Sequence, residues 1–325
     1  MNGAFFTVHR PGMLTTVQDL GRWGHQASGV PVAGPMDAYS HRLANRLLGN
    51  SEEAAALEIT LLGPTLEAAG EIACAVAGAE FSMEVGGQPA PPNALFVVAS
   101  GGVLRFGNRR SGARATLAVR GGFDVPAVFG SRATSLVSGI GPLGGRPLAA
   151  GDVLRINAVN PGNTGNAGNP VNDGNAVNAR LTPRPLRMPA GGARLRVIAG
   201  PHEDMFAAGA IETFYSARYT ITPNSNRMGY RLEGAPLLHA TTADILSDAT
   251  PIGSIQVPNS GQPILLMADR QTTGGYPKIA TVISADVPIA GQLAPGDWIE
   301  FVSCTRAGAL EALKEQERQL LGWSL

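Results

Sequence analysis

Apolar positions in this chain come in short runs rather than long periodic ones. Phe5, Phe6 and Val8 predict a first strand, which Pro11-Gly12 turns. Across residues 56–110, runs such as Leu57-Glu58-Ile59-Thr60-Leu61 and residues 94–98 are broken by Gly, Pro and Asn. The second half repeats the rhythm at residues 195–198, at 264–267, which suit a strand buried on both faces, and again at Ile279, Val282 and Ile283. This spacing argues for an all-β sandwich or barrel. Helical spacing is rarer. Met36, Leu43 and Leu47, with Ala44 and Leu48 beside them, form one stripe that Gly49 closes. Asp37 and His41 are four apart on that helix and read as a pair on its surface. A short helix is expected near residues 205–214. Residues 307–321 predict an amphipathic one, with Leu310, Leu313, Leu320 and Leu321 apolar.

Two landmarks recur in the same order. Ala115-Thr116-Leu117-Ala118-Val119-Arg120-Gly121-Gly122-Phe123 resembles the run through Gly274-Gly275-Tyr276. Pro147-Leu148-Ala149-Ala150-Gly151-Asp152-Val153 resembles Gln292-Leu293-Ala294-Pro295-Gly296-Asp297-Trp298. An internal duplication follows, each half one β-barrel and each Gly-Asp turn leading into a late strand. Residues 1–156 would be the first barrel half. Residues 157–185, Asn/Gly-rich and unable to bury apolar surface, would be a flexible linker, and residues 186–325 the second half with its C-terminal helix.

Composition narrows the function classes. The formal net charge is zero, which gives no electrostatic footprint for nucleic acid or an anionic membrane. No apolar run approaches spanning length and the N-terminus lacks a long apolar core, so a soluble, cytoplasmic protein is expected. Charged residues are only 15%, which makes burial of surface against a partner plausible on compositional grounds. Cys74 and Cys304 sit in apolar contexts and read as buried free thiols, and neither has metal-ligand neighbours, so no metal is expected.

Polar chemistry is densest at residues 263–285. A buried strand runs directly into Asp269, Arg270, Gln271, Thr272 and Thr273, followed by Gly274-Gly275, Tyr276-Pro277 and Lys278. A Gly-Gly pair permits positive φ and close approach to a ligand. Polar groups at the end of a buried strand are held on a rigid scaffold. Lys278 and Lys314 are the only lysines among 25 basic residues, and Lys314 belongs to the charged C-terminal helix. Arg227 and Arg231 flank Gly229-Tyr230, where a guanidinium suits a carboxylate. Asp19, Arg22 and His25 cluster among glycines around Trp23. Asp19 and Arg22, with Asp37, are secondary candidates. Gly139-Ile140-Gly141-Pro142-Leu143-Gly144 has dinucleotide-fingerprint spacing but is followed by Gly145-Arg146-Pro147, a turn with no helix to hold a pyrophosphate.

Four segments carry a family resemblance. They are Leu14-Thr15-Thr16-Val17-Gln18-Asp19-Leu20-Gly21-Arg22, Gly34-Pro35-Met36-Asp37, Arg227-Met228-Gly229-Tyr230-Arg231-Leu232 and the run from Ala268 to Lys278. Together they resemble the second allophanate-hydrolase-subunit family, which supplies part of the carboxyltransferase region of urea carboxylase and includes the C-type component of bacterial 5-oxoprolinase. The resemblance implies a mainly β fold of two cyclophilin-like β-barrel units with a few short helices. It implies ATP-dependent opening of the lactam 5-oxoproline to L-glutamate with A and B subunits, the ATP (as Mg-ATP) held here or on a partner. Hydrolysing a lactam needs activation, a carboxylate clamp and cations for developing charge. Asp269 and Lys278 are the implied catalytic residues, Asp269 as a base or to orient Arg270. Arg270 or Arg227 would hold the substrate carboxylate. Gln271, Thr272, Gly274 and Gly275 would hydrogen-bond the lactam, with Tyr276 beside them. The competing reading is biotin-dependent carboxyl transfer to a urea-like acceptor. A third is a regulatory protein that binds a sister B-type subunit and antagonises a kinase inhibitor.

Overall fold

A computed structural model describes residues 3–158 and 184–322. The expected Asn/Gly linker lies almost entirely outside the described residues. The chain forms two compact units. One comprises Met1–Arg22, Asp37–Met188 and Glu317–Leu325, the other Trp23–Met36 and Pro189–Gln316. The division is therefore not the simple one at residues 1–156 and 186–325. Residues 23–36 pack with the second unit because Met36, fully buried, belongs to its core. No helix among the described residues is long and apolar enough to cross a membrane.

The first unit is a nine-stranded sheet: β1 (Phe5–Arg10), β2 (Leu14–Gln18), β3 (Ala56–Thr60), β4 (Thr65–Ala69), β5 (Ile72–Val85), β6 (Gln88–Ala90), β7 (Leu95–Val98), β8 (Val103–Val119) and β9 (Val153–Arg155). Its main path runs β2-β3-β8-β4-β1-β9, a half-barrel, with β5 on β8 carrying β6 and β7. One helix, α1 (Ala38–Leu47), lies on the alanines of this sheet. Tyr39, Leu43, Ala44 and Leu48 meet Ala56, Ala75, Ala77 and Ala118, whose small side chains let the helix approach closely.

The start of α1 explains two departures from the sequence pattern. Asp37 is its N-cap, with Oδ1 accepting from Ser40 N at 2.8 Å and Oδ2 from Ser40 Oγ at 2.6 Å. Met36 precedes the cap and so leaves the helical stripe. His41 does not pair with Asp37 on the surface. It is buried, and Asn45 Nδ2 lies 3.3 Å from its Nε2. Burial pulls the His41 imidazole down to about 4.

The second unit is a closed barrel in the order β10-β17-β14-β15-β12-β11-β18. Its strands are β10 (Gly192–Ala199), β11 (Arg218–Ile221), β12 (Gly229–Glu233), β14 (Ser254–Gln256), β15 (Ile264–Leu266), β17 (Lys278–Val282) and β18 (Trp298–Ser303). A separate two-stranded ribbon joins β13 (Asp248–Ala249) to β16 (Thr273–Gly274). The inward positions Leu195, Val197, Tyr219, Ile221, Ile255, Leu265, Ile279 and Phe301 fill the core. Helix α2 (Ala208–Ser216) adds Phe214, stacked on Phe301 at 4.6 Å between ring centroids. Burying each such ring stabilises by roughly 1.5–3 kcal/mol. The short α3 (Val287–Gly291) and the long α4 (Arg306–Leu321) follow. Residues 142–145 are a turn in substance, with Leu143 at φ 55° and Gly144 at φ 71°.

The duplicated Gly-Asp turns are matched bond for bond. Asp152 Oδ2 accepts from Ala149 N at 2.8 Å, and Asp297 Oδ2 from Ala294 N at 2.8 Å. Gly151 N donates to Val8 O, and Asp152 O accepts from Val8 N. Gly296 N and Asp297 O do the same with Ile221. Both glycines are left-handed, at φ 88° and 92°. The Gly-Gly landmarks differ: Gly121 and Gly122 are left-handed, whereas Gly274 and Gly275 are not.

Neutral burial of His41 makes stability depend on pH. A base whose folded value lies below its unfolded one, near 6.5, stabilises fully above 6.5 and loses that contribution as pH falls toward about 4. Between pH 6.5 and 5 the loss is about 2 kcal/mol. The urea midpoint should fall over that interval in the wild type and stay nearly flat in His41→Gln. Equal slopes in the two proteins would remove His41 as the cause.

Candidate functional site

The polar loop after β15 is held in place by a buried ion pair. Residues 267–269 run beside residues 227–228, with Met267 N donating to Met228 O at 2.9 Å and Asp269 N to Arg227 O at 2.8 Å. This register sets the Asp269 carboxylate against the Arg227 guanidinium. Arg227 Nε donates to Asp269 Oδ2 at 3.1 Å and Nη2 to Oδ1 at 3.2 Å. Nη2 also donates to Gly34 O at 2.5 Å. The two side chains are only 4% and 0% exposed. Asp269 thus orients Arg227, not Arg270 as the sequence suggested, and the donors of Arg227 facing it are committed.

Arg270 is in the opposite situation. It is 7% exposed, its Nε donates to Thr250 O at 2.7 Å and its Nη1 to Met267 O at 3.4 Å. No carboxylate pairs with it among the described residues. Burial alone pulls its guanidinium down to about 10, with no neighbouring anion to oppose the shift. Arg270 remains charged at neutral pH, a nearly buried cation without a counter-ion among the described residues.

Lys278, at the start of β17, is buried as well. Its Nζ contacts the Asp248 carboxylate and donates to Ala249 O at 2.7 Å, and its backbone N donates to His202 Nδ1 at 3.2 Å. His202 therefore accepts on Nδ1. The Lys278 ammonium holds the Asp248 carboxyl below the usual carboxylate range. Arg270 and Lys278 thus rest on successive carbonyls, of Thr250 and Ala249.

The amides of the loop bond to one another and to neighbouring backbone. Gln271 Nε2 donates to Gln256 Oε1 at 3.3 Å, and Gln256 Nε2 to Tyr276 O at 3.4 Å. Thr272 O accepts from Thr250 N at 3.1 Å, and Gln271 O accepts from Thr250 Oγ1. Gly274 has no positive φ, and a Cβ there would lie 2.7 Å from Gln256 Nε2, so a side chain at this position would displace the Gln256 amide. A Cβ on Gly275 would meet Ile245 O at 3.4 Å. Tyr276 is 40% exposed.

The secondary candidates serve the first unit. Asp19 accepts from Gly21 N at 2.9 Å, Ser131 Oγ at 2.6 Å and Arg132 N at 2.5 Å, and so shapes the 131–132 turn. Arg22, 1% exposed, donates to Val128 O at 3.4 Å and to Ala133 O. Asp37 is the cap already described. Cys74 is buried, which pushes its thiol up, but Cys304 is only half-buried because it lies between β18 and α4. Gln256, Thr250 and Asp248 were not among the sequence candidates. A buried amide within Ile255-Gln256-Val257 was a usable signal for the first, but nothing in the local sequence marks Asp248.

Comparison with known proteins agrees with this architecture. The family described as carboxyltransferase domain, subdomain A and B, matches residues 28–303. The chain belongs to this carboxyltransferase-domain family. It is 37% identical to the C-type component of 5-oxoprolinase from Escherichia coli (strain K12) over 98% of both chains. It is 35% identical to urea amidolyase of Lachancea kluyveri over 96% of its own length but 18% of that protein. The crystal structure of Kluyveromyces lactis urea carboxylase superposes with a TM-score of 0.89 at 33% identity, over 98% of this chain and 29% of that one.

A double-mutant cycle tests the role of Asp269. Removing one partner of a buried pair leaves the other charge stranded, at about 3–5 kcal/mol, while replacing both with apolar groups of similar size is far milder. Asp269→Leu and Arg227→Met should each destabilise strongly, and the double variant should recover most of the loss in denaturant unfolding. Additive effects would mean that the pair does not hold the loop.

Proposed function

We propose that this chain is the C-type component of a multi-subunit 5-oxoprolinase, which opens 5-oxoproline to L-glutamate with ATP together with A- and B-type partners. The observation that carries the reading is Arg270, a nearly buried guanidinium with no anion of its own among the described residues. A lactam bearing a carboxylate supplies the missing charge, and a bidentate or forked contact to a guanidinium suits that group. The match to the 5-oxoprolinase component over 98% of both chains supports the same reading.

In this scheme Arg270 holds the substrate carboxylate. Lys278 stabilises negative charge that develops on the lactam oxygen as the amide is activated. The Gln271 amide and the Thr272 hydroxyl orient the ring, and Gln256 braces Gln271. Asp269 acts as a positioning residue through Arg227, because its carboxylate is enclosed in that pair. ATP, held here or on a partner protein, supplies the phosphoryl group that turns the amide oxygen into a leaving group. Biotin-dependent carboxyl transfer is the second reading, favoured by the likeness to urea carboxylase. The carboxyl group carried on biotin in that reaction is itself anionic, so the match to the 5-oxoprolinase component over 98% of both chains, not the charge of Arg270 alone, favours the first reading.

ADP release in the presence of 5-oxoproline, using this chain combined with its A- and B-type partners, tests the proposal. Turnover should require all the components. Arg270→Gln should raise KM for 5-oxoproline about 10- to 100-fold, the worth of a charge-assisted hydrogen bond, and leave KM for ATP nearly unchanged. Lys278→Ala should abolish turnover while assembly persists. Carboxylation of urea with a biotin carrier, and no lactam-dependent ADP release, would overturn the assignment.

A further inference from the structure

Residues 244–249 form a thin strip across the cation-bearing loop. The strip is fixed at its two ends by Ala243, 3% exposed, and Thr250, 4% exposed. Between them no residue is buried, and Leu246 is 94% exposed. The strip touches the loop mainly by polar contacts. Ile245 N donates to Gly275 O at 2.9 Å, and Asp248 and Ala249 pair with Gly274 and Thr273 in the ribbon. A segment with exposed hydrogen bonds and little apolar burial opens at low free-energy cost. Its strongest tie is electrostatic: Asp248, with a side chain 52% exposed, reaches the Lys278 ammonium, whose side chain is 4% exposed.

We propose that residues 244–249 are a lid and that Asp248 is its latch, an internal carboxylate that occupies Lys278 until an anionic ligand displaces it. The inference rests on the reading of Arg270 and Lys278 as the substrate's cationic partners. The same two cations that a carboxylated lactam would engage are held, in this closed arrangement, by acceptors on residues 248–250. Opening breaks the Lys278–Asp248 pair and leaves the ammonium to be compensated. Negative charge that develops on the lactam oxygen then compensates it, while the substrate carboxylate sits on Arg270. Because Asp248 is half exposed, its carboxylate is readily solvated once released, which keeps the latch reversible.

Equilibrium binding of 5-oxoproline to the full-length chain, with Asp248→Asn and Arg270→Gln beside the wild type, tests the latch. Asp248→Asn keeps the side chain's size and removes its charge. Freed of its latch, the open state is more populated, and affinity should rise about 3- to 10-fold. Backbone amide exchange at Ile245 and Thr250 should quicken in the same variant. Weaker binding in Asp248→Asn would make Asp248 a support for Lys278 and overturn the latch, and so would unchanged binding and exchange. Arg270→Gln separates failure of the latch from failure of the site. If it abolishes binding while Asp248→Asn changes nothing, the latch alone fails. If Arg270→Gln binds normally, the reading of the site fails with it.

Discussion

The buried pair of Arg227 and Asp269 is the constraint on which the second unit's chemistry rests. It joins three stretches far apart in sequence: Gly34 through its carbonyl, residues 227–228 through their register, and the loop after β15. A charge pair so enclosed gains little net stability, because desolvation offsets the attraction, but it tolerates almost no other arrangement of those stretches. Its consequence is directional. Once Asp269 faces Arg227, the next residue is turned toward Thr250, and Arg270 is buried with no anion beside it among the described residues.

Placing a cation that way is costly for the folded chain, and the fall of the Arg270 guanidinium to about 10 expresses the cost. An uncompensated charge of this kind, beside a second buried cation and a run of amides, is characteristic of a site kept ready for a ligand. Lys278 shows the complementary solution, in which a charge of similar burial is compensated from the surface by Asp248. The barrel carries both residues: strands β14, β15 and β17 anchor the loop ends through ladder bonds.

The matching Gly-Asp turns and the contrasting Gly-Gly pairs mark where the two units agree and where they differ. The Gly-Asp turn closes a strand edge in each unit with the same bonds, and it uses a left-handed glycine in both. The Gly-Gly pair is a left-handed turn in the first unit. In the second it follows Gln271-Thr272-Thr273, which carries it into the ribbon strand β16, where Gly274 lies close against the Gln256 amide.

Much of this was legible along the chain. Period-2 and short-run patterning marks the β architecture, because burial in a strand alternates locally. Glycine signals mark the end of α1 and both Gly-Asp turns, because those motifs close within a few residues. The cluster from Asp269 to Lys278 stands out because so many polar groups seldom follow a buried strand. Partnership was not legible. That Asp269 faces Arg227 rather than its neighbour Arg270, that Met36 leaves the helical stripe for the second unit's core, and that Asp248 meets Lys278 are matters of strand register and of contacts between residues tens of positions apart. Local patterning records how each residue meets solvent or core, and it carries no record of which distant charge will stand opposite.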